Sequence, residues 1–323
     1  MVVQIPPKTR EGTIVMQREM RRGFCVFLLC LFCACSVSPG GHPADPSITP
    51  NVVYGHRSGV DLTMDVYRAH HPTGAAVIFL MSGGWRSLPE WKQWVAAPGG
   101  VRLATDDELR DRLPLVLSFG FRPLLERGIT VFSVYHGSSP RFRMPEIVED
   151  VRSALRFIRG HAAEYDLDPE RLGLWGLSAG GHLALLLATT GEQAQGDAFD
   201  GPAGRLVRVA AVVAYSAPTD LKRTLRGPRP SNPALVLSED EYHAFSPFRH
   251  VSAEAPPTLI VHGEDDELVD VLEGRTMHEA LRKAGVETRL VTIPGAGHGF
   301  VGGAATVALN EAVQWFERHL GVK

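Results

Sequence analysis

The sequence predicts an α/β fold in which a mostly parallel sheet of about eight strands is flanked by helices. Two observations predict it. Short apolar runs rich in Val, Ile, Leu and aromatics alternate with stretches of helical period along most of the chain, and a hairpin pattern opens the series. Segments 86–118 and 221–251 break the alternation and are longer than simple connections, which marks them as cap or insert segments.

The hairpin is expected at 51–54 and 62–67, two apolar runs joined through a glycine-containing turn. The remaining strands are expected at 75–81, 129–135, 172–177, 209–215, 258–262 and 288–293. Between them, Pro145 begins a helix whose Ile147, Val148, Val151, Leu155 and Ile158 recur on one face. Met277, Ala280, Leu281 and Ala284 form a second stripe stopped by Gly285, and Leu309, Ala312, Val313, Phe316 and Leu320 form a third. All three stripes read as core packing.

With 323 residues, a formal charge of −3 and Lys and Arg scattered along it, the chain has no electrostatic footprint for nucleic acid or an anionic membrane. A small-molecule or polymer substrate is the remaining expectation. All four cysteines, Cys25, Cys30, Cys33 and Cys35, lie in one apolar run, so the rest of the chain offers no disulfide framework, thiol nucleophile or cysteine-ligated metal. Arg21 and Arg22 precede that run, 24–37, which is short for a bilayer span and fits a secretory signal over 1–35, with translation starting at Met16 or Met20. Two endings are open: lipidation at Cys35, or simple cleavage. An uncleaved anchor or a buried helix is the bland alternative. Residues 36–50, rich in Ser, Pro and Gly, read as a tether, leaving 51–323 as one folded domain outside the cytoplasm.

The chemistry concentrates at three places. Gly176-Leu177-Ser178-Ala179-Gly180-Gly181 follows a strand and runs into the apolar helix Leu183-Ala184-Leu185-Leu186-Leu187. A sharp strand-to-helix turn puts its serine at the positive end of a helix dipole, and flanking glycines leave room for the neighbouring backbone. The pentapeptide alone is a weak signal; its position between strand and helix strengthens it. A serine hydroxyl needs an imidazole to take its proton, and that imidazole needs a carboxylate to hold its tautomer. Of thirteen histidines, His298 is the best placed, in the glycine-rich loop 294–300 between the last strand and the last helix. His182, His136 and His262 read as packed or solvent-facing histidines. The acid comes from the turn 263–269, where Asp266 is preferred, Asp265 is next, and Asp220 after the preceding strand is third.

These residues resemble the α/β-hydrolase superfamily, particularly esterases related to hormone-sensitive lipase and acetylxylan esterases, and more distantly prolyl oligopeptidase-type peptidases. The resemblance covers about 51–323. It is carried by Asp168-Pro169-Glu170-Arg171 leading into Gly176 to Ala184, by the His-Gly-x-x-Asp-x-x-Val pattern from His262 to Val269, and by Gly297-His298-Gly299-Phe300. The second pattern singles out Asp266. The family's His-Gly-Gly-Gly-Trp oxyanion motif has its counterpart in Met81-Ser82-Gly83-Gly84-Trp85, which departs at the first two positions. The resemblance thus implies backbone donors at Gly83, Gly84 and Ala179, and donors of that kind survive a change in neighbouring side chains.

What the resemblance implies is a serine hydrolase of carboxylic esters acting through an acyl-enzyme with a Ser178, Asp266, His298 triad and no metal or organic cofactor. Trp85, Trp91 and Trp94 follow the oxyanion glycines; they offer aromatic faces for a sugar ring or acyl chain, or they pack the cap. Two alternatives stand beside the esterase. One is a prolyl oligopeptidase-type peptidase, disfavoured because only a short tether precedes the domain; the other is an inactive binding module that keeps the fold.

Overall fold

The buried apolar runs assemble into one sheet. The computed structural model describes residues 46–88, 91–112, 120–190, 209–224 and 232–322. Within them the strands are β1 (Ser47–Arg57), β2 (Val60–Arg68), β3 (Ala76–Leu80), β4 (Trp94–Ala97), β5 (Gly100–Leu103), β6 (Thr130–Tyr135), β7 (Leu172–Leu177), β8 (Ala211–Tyr215), β9 (Thr258–Gly263) and β10 (Thr288–Ile293). The eight-stranded sheet runs β1-β2-β6-β3-β7-β8-β9-β10. Only the β1–β2 and β2–β6 pairs are antiparallel; every pair from β6 to β10 is parallel. The fold class expected from the sequence is the one observed.

The helices are α1 (Asp106–Arg112), α2 (Arg122–Glu126), α3 (Met144–Gly160), α4 (Ala179–Thr190), α5 (Leu221–Thr224), α6 (Glu239–Ala244), α7 (Val271–Lys283) and α8 (Gly303–His319). Strand alternation sends Ile78 and Leu80 of β3 into one core cluster with Ile147 and Val151 of α3, Leu186 of α4 and Met277 of α7. Val77 and Phe79 go to the other face, with Leu124 of α2 and Val313 and Phe316 of α8. Residues 179–187 of α4 are all buried, so this helix lies inside the domain and needs no polar face. Its N-terminus meets the C-terminal ends of the central strands, the position from which a ligand above the sheet is reached.

Two expectations are revised. Residues 47–50, expected in the tether over 36–50, instead open β1. Pro50 is tolerated on an edge strand, and Asn51 takes a left-handed φ of 57° within the register shift between Thr49 and Val52, while its amide donates to Asp65 Oδ1 at 2.9 Å. Segment 86–118 holds an antiparallel hairpin, β4–β5, that the strand count omitted. Pro98-Gly99 was its sequence signal. The hairpin is pinned to the sheet where Trp94 Nε1 donates to Asp65 Oδ2 at 2.9 Å and the Gln93 amide donates to Tyr67 Oη at 3.0 Å. Segment 221–251 carries α5, α6 and short 3₁₀ turns at Pro233–Leu235 and Pro247–His250. Parts of both inserts, 89–90, 113–119 and 225–231, lie outside the described residues, as do the expected signal over 1–35, the lipid site at Cys35 and tether residues 36–45. Among the described residues no helix is long and apolar enough to cross a membrane.

Candidate active site

Ser178 lies between β7 and α4 with a φ of 54°. A left-handed serine costs about 1–3 kcal/mol and persists only where its surroundings over-determine it. Here they do. Its amide donates to Tyr215 O at 2.7 Å, and its carbonyl accepts from the His182 amide at 2.9 Å, closing the first turn of α4. The flanking glycines are sterically required: a Cβ on Gly176 would lie 2.3 Å from the Gly180 carbonyl carbon, and one on Gly180 would lie 2.1 Å from Leu80 O. Strand and helix can approach this closely only where both residues lack side chains.

Asp266 and His298 are joined directly. His298 Nδ1 donates to Asp266 Oδ2 at 2.9 Å, with Oδ1 at 3.2 Å, although the two residues are 32 positions apart. Packing of the two loops enforces this: a Cβ on Gly263 would fall 2.2 Å from Ala296 O, and the Asp265 amide donates to Ala296 O at 3.0 Å. Asp266 Oδ1 also accepts the Leu268 and Val269 amides at 2.8 Å each, and buried His262 stands 3.4 Å from Oδ2. Burial by itself would raise the Asp266 pKa, but the hydrogen bonds from His262, His298 and the Val269 amide outweigh it and hold the carboxyl well below the usual carboxylate range. An ionised carboxylate only accepts, so Nδ1 of His298 carries the proton and Nε2 is left with a free lone pair. Asp265 is exposed, and Asp220 faces Arg249 at 3.6 Å and Arg223 at 3.9 Å.

Tyr215 links these two groups to the serine. Its carbonyl holds the Ser178 amide, while its ring meets buried Phe300, two residues beyond His298, edge to face at 5.3 Å. The His298 loop and the Ser178 turn are thus seated on one residue at the end of β8. Among the described residues no hydrogen bond joins Ser178 Oγ to the His298 imidazole; such bonds are often long without substrate and tighten in the reacting complex.

Gly83, Gly84 and Trp85 take successive left-handed φ values of 77°, 68° and 61°. Their carbonyls are occupied: Gly83 O accepts from Arg86 Nε at 3.2 Å, Gly84 O from Asn232 Nδ2 at 3.4 Å and Trp85 O from the Ser139 amide at 3.0 Å. With these carbonyls engaged, the loop is held on three sides, by Arg86, Asn232 and Ser139. Gly83 and Gly84 line a cleft of about 250 Å³ with Arg86, Ser139, Pro140, Asn232 and Pro233. Ala179 contributes the first amide of α4, which has no intrahelical acceptor.

Of the two readings of the tryptophans, aromatic face or packing, the contacts observed are packing ones. Trp85 is 3 % exposed and its indole N–H donates to His182 Nδ1 at 3.1 Å, so the substrate-contacting role expected for it is replaced by an internal one. Trp91 is buried in the core and Trp94 is tied to Asp65. His136 is buried, with Nδ1 2.7 Å from Gly137 O. Sequence reasoning missed Asn232, which holds Gly84, and Glu273, a buried carboxylate accepting from the Thr219 amide at 3.0 Å and the Asp220 amide at 2.9 Å. The spacing Asp270-x-x-Glu273 signals a helix start, but not that Glu273 reaches back to the loop after β8.

Comparison with known proteins agrees with this architecture. The BD-FAE family profile matches residues 118–281. Esterase LipQ of Mycobacterium tuberculosis is 32% identical over 216 residues, 62% of this chain and 49% of its own length. The chain spans about half the length or less of several curated relatives it matches. Among solved structures, Thermogutta terrifontis esterase 2 phosphoramylated by tabun is 26% identical, with a TM-score of 0.63 over 87% of this chain and 96% of the other. A truncated carbohydrate esterase from gut microbiota, 24% identical with a TM-score of 0.64 over 86% of this chain and 97% of that one, shares the fold.

Proposed function

The chain belongs to the BD-FAE family of α/β-hydrolase esterases, and on that footing we propose that it is a serine hydrolase of carboxylic esters. Ser178 is the nucleophile, His298 the general base and Asp266 the residue that holds the imidazole. His298 Nε2 takes the Ser178 proton as Oγ attacks the ester carbonyl. The resulting oxyanion is received by the amides of Gly83, Gly84 and Ala179, the alcohol leaves with the proton from His298, and water deacylates the serine by the same route. The observation that carries this reading is the His298–Asp266 hydrogen bond of 2.9 Å, on a loop seated on the residue that also holds the Ser178 amide.

Short acyl esters are the substrate class we favour, on the likeness to Thermogutta terrifontis esterase 2, which has been solved with propionate bound. Esters of carbohydrates belong to this class. Export is the second part of the proposal; it rests on Arg21, Arg22 and the apolar run that follows, with lipidation at Cys35 or simple cleavage as its two forms.

A series of p-nitrophenyl esters of rising acyl length, beside an aminoacyl p-nitroanilide, tests the reading. Hydrolysis confined to short acyl chains and abolished in Ser178→Ala is expected. Preferential anilide cleavage would point to a peptidase, and full activity in Ser178→Ala would refute the assignment. Failure to release acetate from acetylated xylan and acetylated glucose, while p-nitrophenyl acetate is cleaved, would remove carbohydrate esters alone.

A further inference from the structure

His182 lies one turn into α4 from Ser178 and is fully buried, yet the mechanism above does not use it. Its two ring nitrogens face different parts of the chain. Nδ1 accepts from the Trp85 indole N–H at 3.1 Å, and Nε2 lies 2.7 Å from Phe245 O. An indole N–H only donates and a carbonyl only accepts, so the ring is neutral with its proton on Nε2, and both nitrogens are satisfied. The Trp85 and His182 rings meet edge to face, with centroids 5.3 Å apart.

The residue it holds is the last of the three consecutive left-handed positions that shape the oxyanion loop, and the only one with a side chain to hold. The far side of the ring holds Phe245, at the C-terminus of α6 in the 221–251 insert. The same insert reaches the loop separately through Asn232 on Gly84 O. The nucleophile helix, the oxyanion loop and the insert therefore meet at one imidazole.

We propose that His182 is a positioning residue for ester hydrolysis: its Trp85 hydrogen bond fixes the left-handed loop that aims the Gly83 and Gly84 amides, with the insert bracing the ring from behind. The inference rests on the esterase reading above. It makes a specific kinetic demand: loosening the loop weakens stabilisation of the tetrahedral oxyanion more than it weakens substrate binding, so kcat falls while KM holds.

The test measures kcat and KM for p-nitrophenyl acetate on full-length protein, with active sites counted by fluorophosphonate titration. His182→Leu removes the acceptor and the donor. Trp85→Phe keeps an aromatic ring and removes the indole N–H. His182→Gln keeps one acceptor and one donor. Loss of a well-aimed oxyanion donor costs about 10²–10³ in kcat, so His182→Leu and Trp85→Phe are each expected to lose roughly a hundredfold in kcat per titrated site, with KM changed less than about threefold. The double variant is expected to be no worse than the lower single, as for two ends of one interaction, and His182→Gln to recover at least tenfold. A role confined to stability would lower the titrated fraction and leave kcat per site intact.

His182→Leu within twofold of wild type per site, additive losses in the double variant, or His182→Gln as impaired as His182→Leu would each overturn the proposal. Should His182→Leu not fold, Trp85→Phe carries the test with the same thresholds. Wild-type protein that cleaves no ester, or Ser178→Ala as active as wild type, would overturn the esterase reading and this inference with it.

Discussion

Gly263→Ala is the substitution that most directly probes how the acid and base are brought together. A Cβ at Gly263 would lie 2.2 Å from Ala296 O and 2.6 Å from Gly297 O, against an ordinary contact of 3.4 Å or more. Both obstacles are backbone, so no side chain can turn away. The 295–298 segment must shift by about 1 Å, carrying His298 away from the turn that presents Asp266, where the hydrogen bond is 2.9 Å. Overpacking of this kind costs about 1–3 kcal/mol of stability, a Tm decrease of roughly 2–10 °C for a domain of this size. A misplacement near 1 Å costs about a hundredfold in rate. Gly297→Ala is the matched comparison, because its Cβ would meet only Asp265 O, at 3.8 Å, and its φ lies outside the left-handed region. Steady-state kinetics on p-nitrophenyl acetate and calorimetry of both variants give the answer. Gly263→Ala within threefold of wild type in kcat/KM, or Gly297→Ala equally impaired, would refute this account of the loop contact.

Other perturbations have equally definite outcomes. Asp266→Asn removes the carboxylate that fixes the His298 tautomer, and kcat for p-nitrophenyl acetate should fall by about 10⁴; a loss below tenfold, with circular dichroism unchanged, would contradict the assignment. Asp65→Ala strips the acceptor from the Asn51 amide, the Trp94 indole and the Tyr135 hydroxyl, so urea denaturation should show a loss of about 3–5 kcal/mol. Burial lowers the His182 pKa to about 4. The unfolded chain therefore binds a proton from about pH 6.5 downward that the folded chain refuses until about pH 4, and stability, full above pH 6.5, falls by about 3 kcal/mol across that window. Urea midpoints should fall more steeply between pH 7 and 4 in wild type than in His182→Gln, and identical slopes would refute this. The depressed Asp266 carboxyl acts lower: its contribution is present above about pH 4 and is lost as pH falls further toward its folded-state pKa.

How much of this could be read from the sequence varied with how local the determining physics was. The strands at 172–177 and 288–293 were legible because apolar β-forming runs ended at clear boundaries. The start of β1 was not, since a proline on an edge strand and a bulge at Asn51 look like a tether until Asp65 is seen accepting the Asn51 amide. Ser178 stood out because its glycines are demanded by a local turn. Among the acids of 264–267, sequence could choose only through the His-Gly-x-x-Asp-x-x-Val pattern, because what separates Asp266 from exposed Asp265 is burial and two amide bonds made after folding. That Trp85 is internal and that the packed ring of His182 is what it meets were not legible, for one shared reason. Their partner is each other, 97 positions apart, and no spacing rule connects the loop at 83–85 to the first turn of the helix after Ser178.

If Ser178 is a nucleophile activated by His298, its reaction with a phosphorus ester must depend on the imidazole. Mass spectrometry of the chain after reaction with an organophosphorus ester, a class that phosphoramylates Thermogutta terrifontis esterase 2, reads this out. One adduct is expected, on Ser178, absent from Ser178→Ala and formed about 10³-fold more slowly in His298→Ala. An adduct on a different residue, or one formed on Ser178 just as fast without the imidazole, would contradict it.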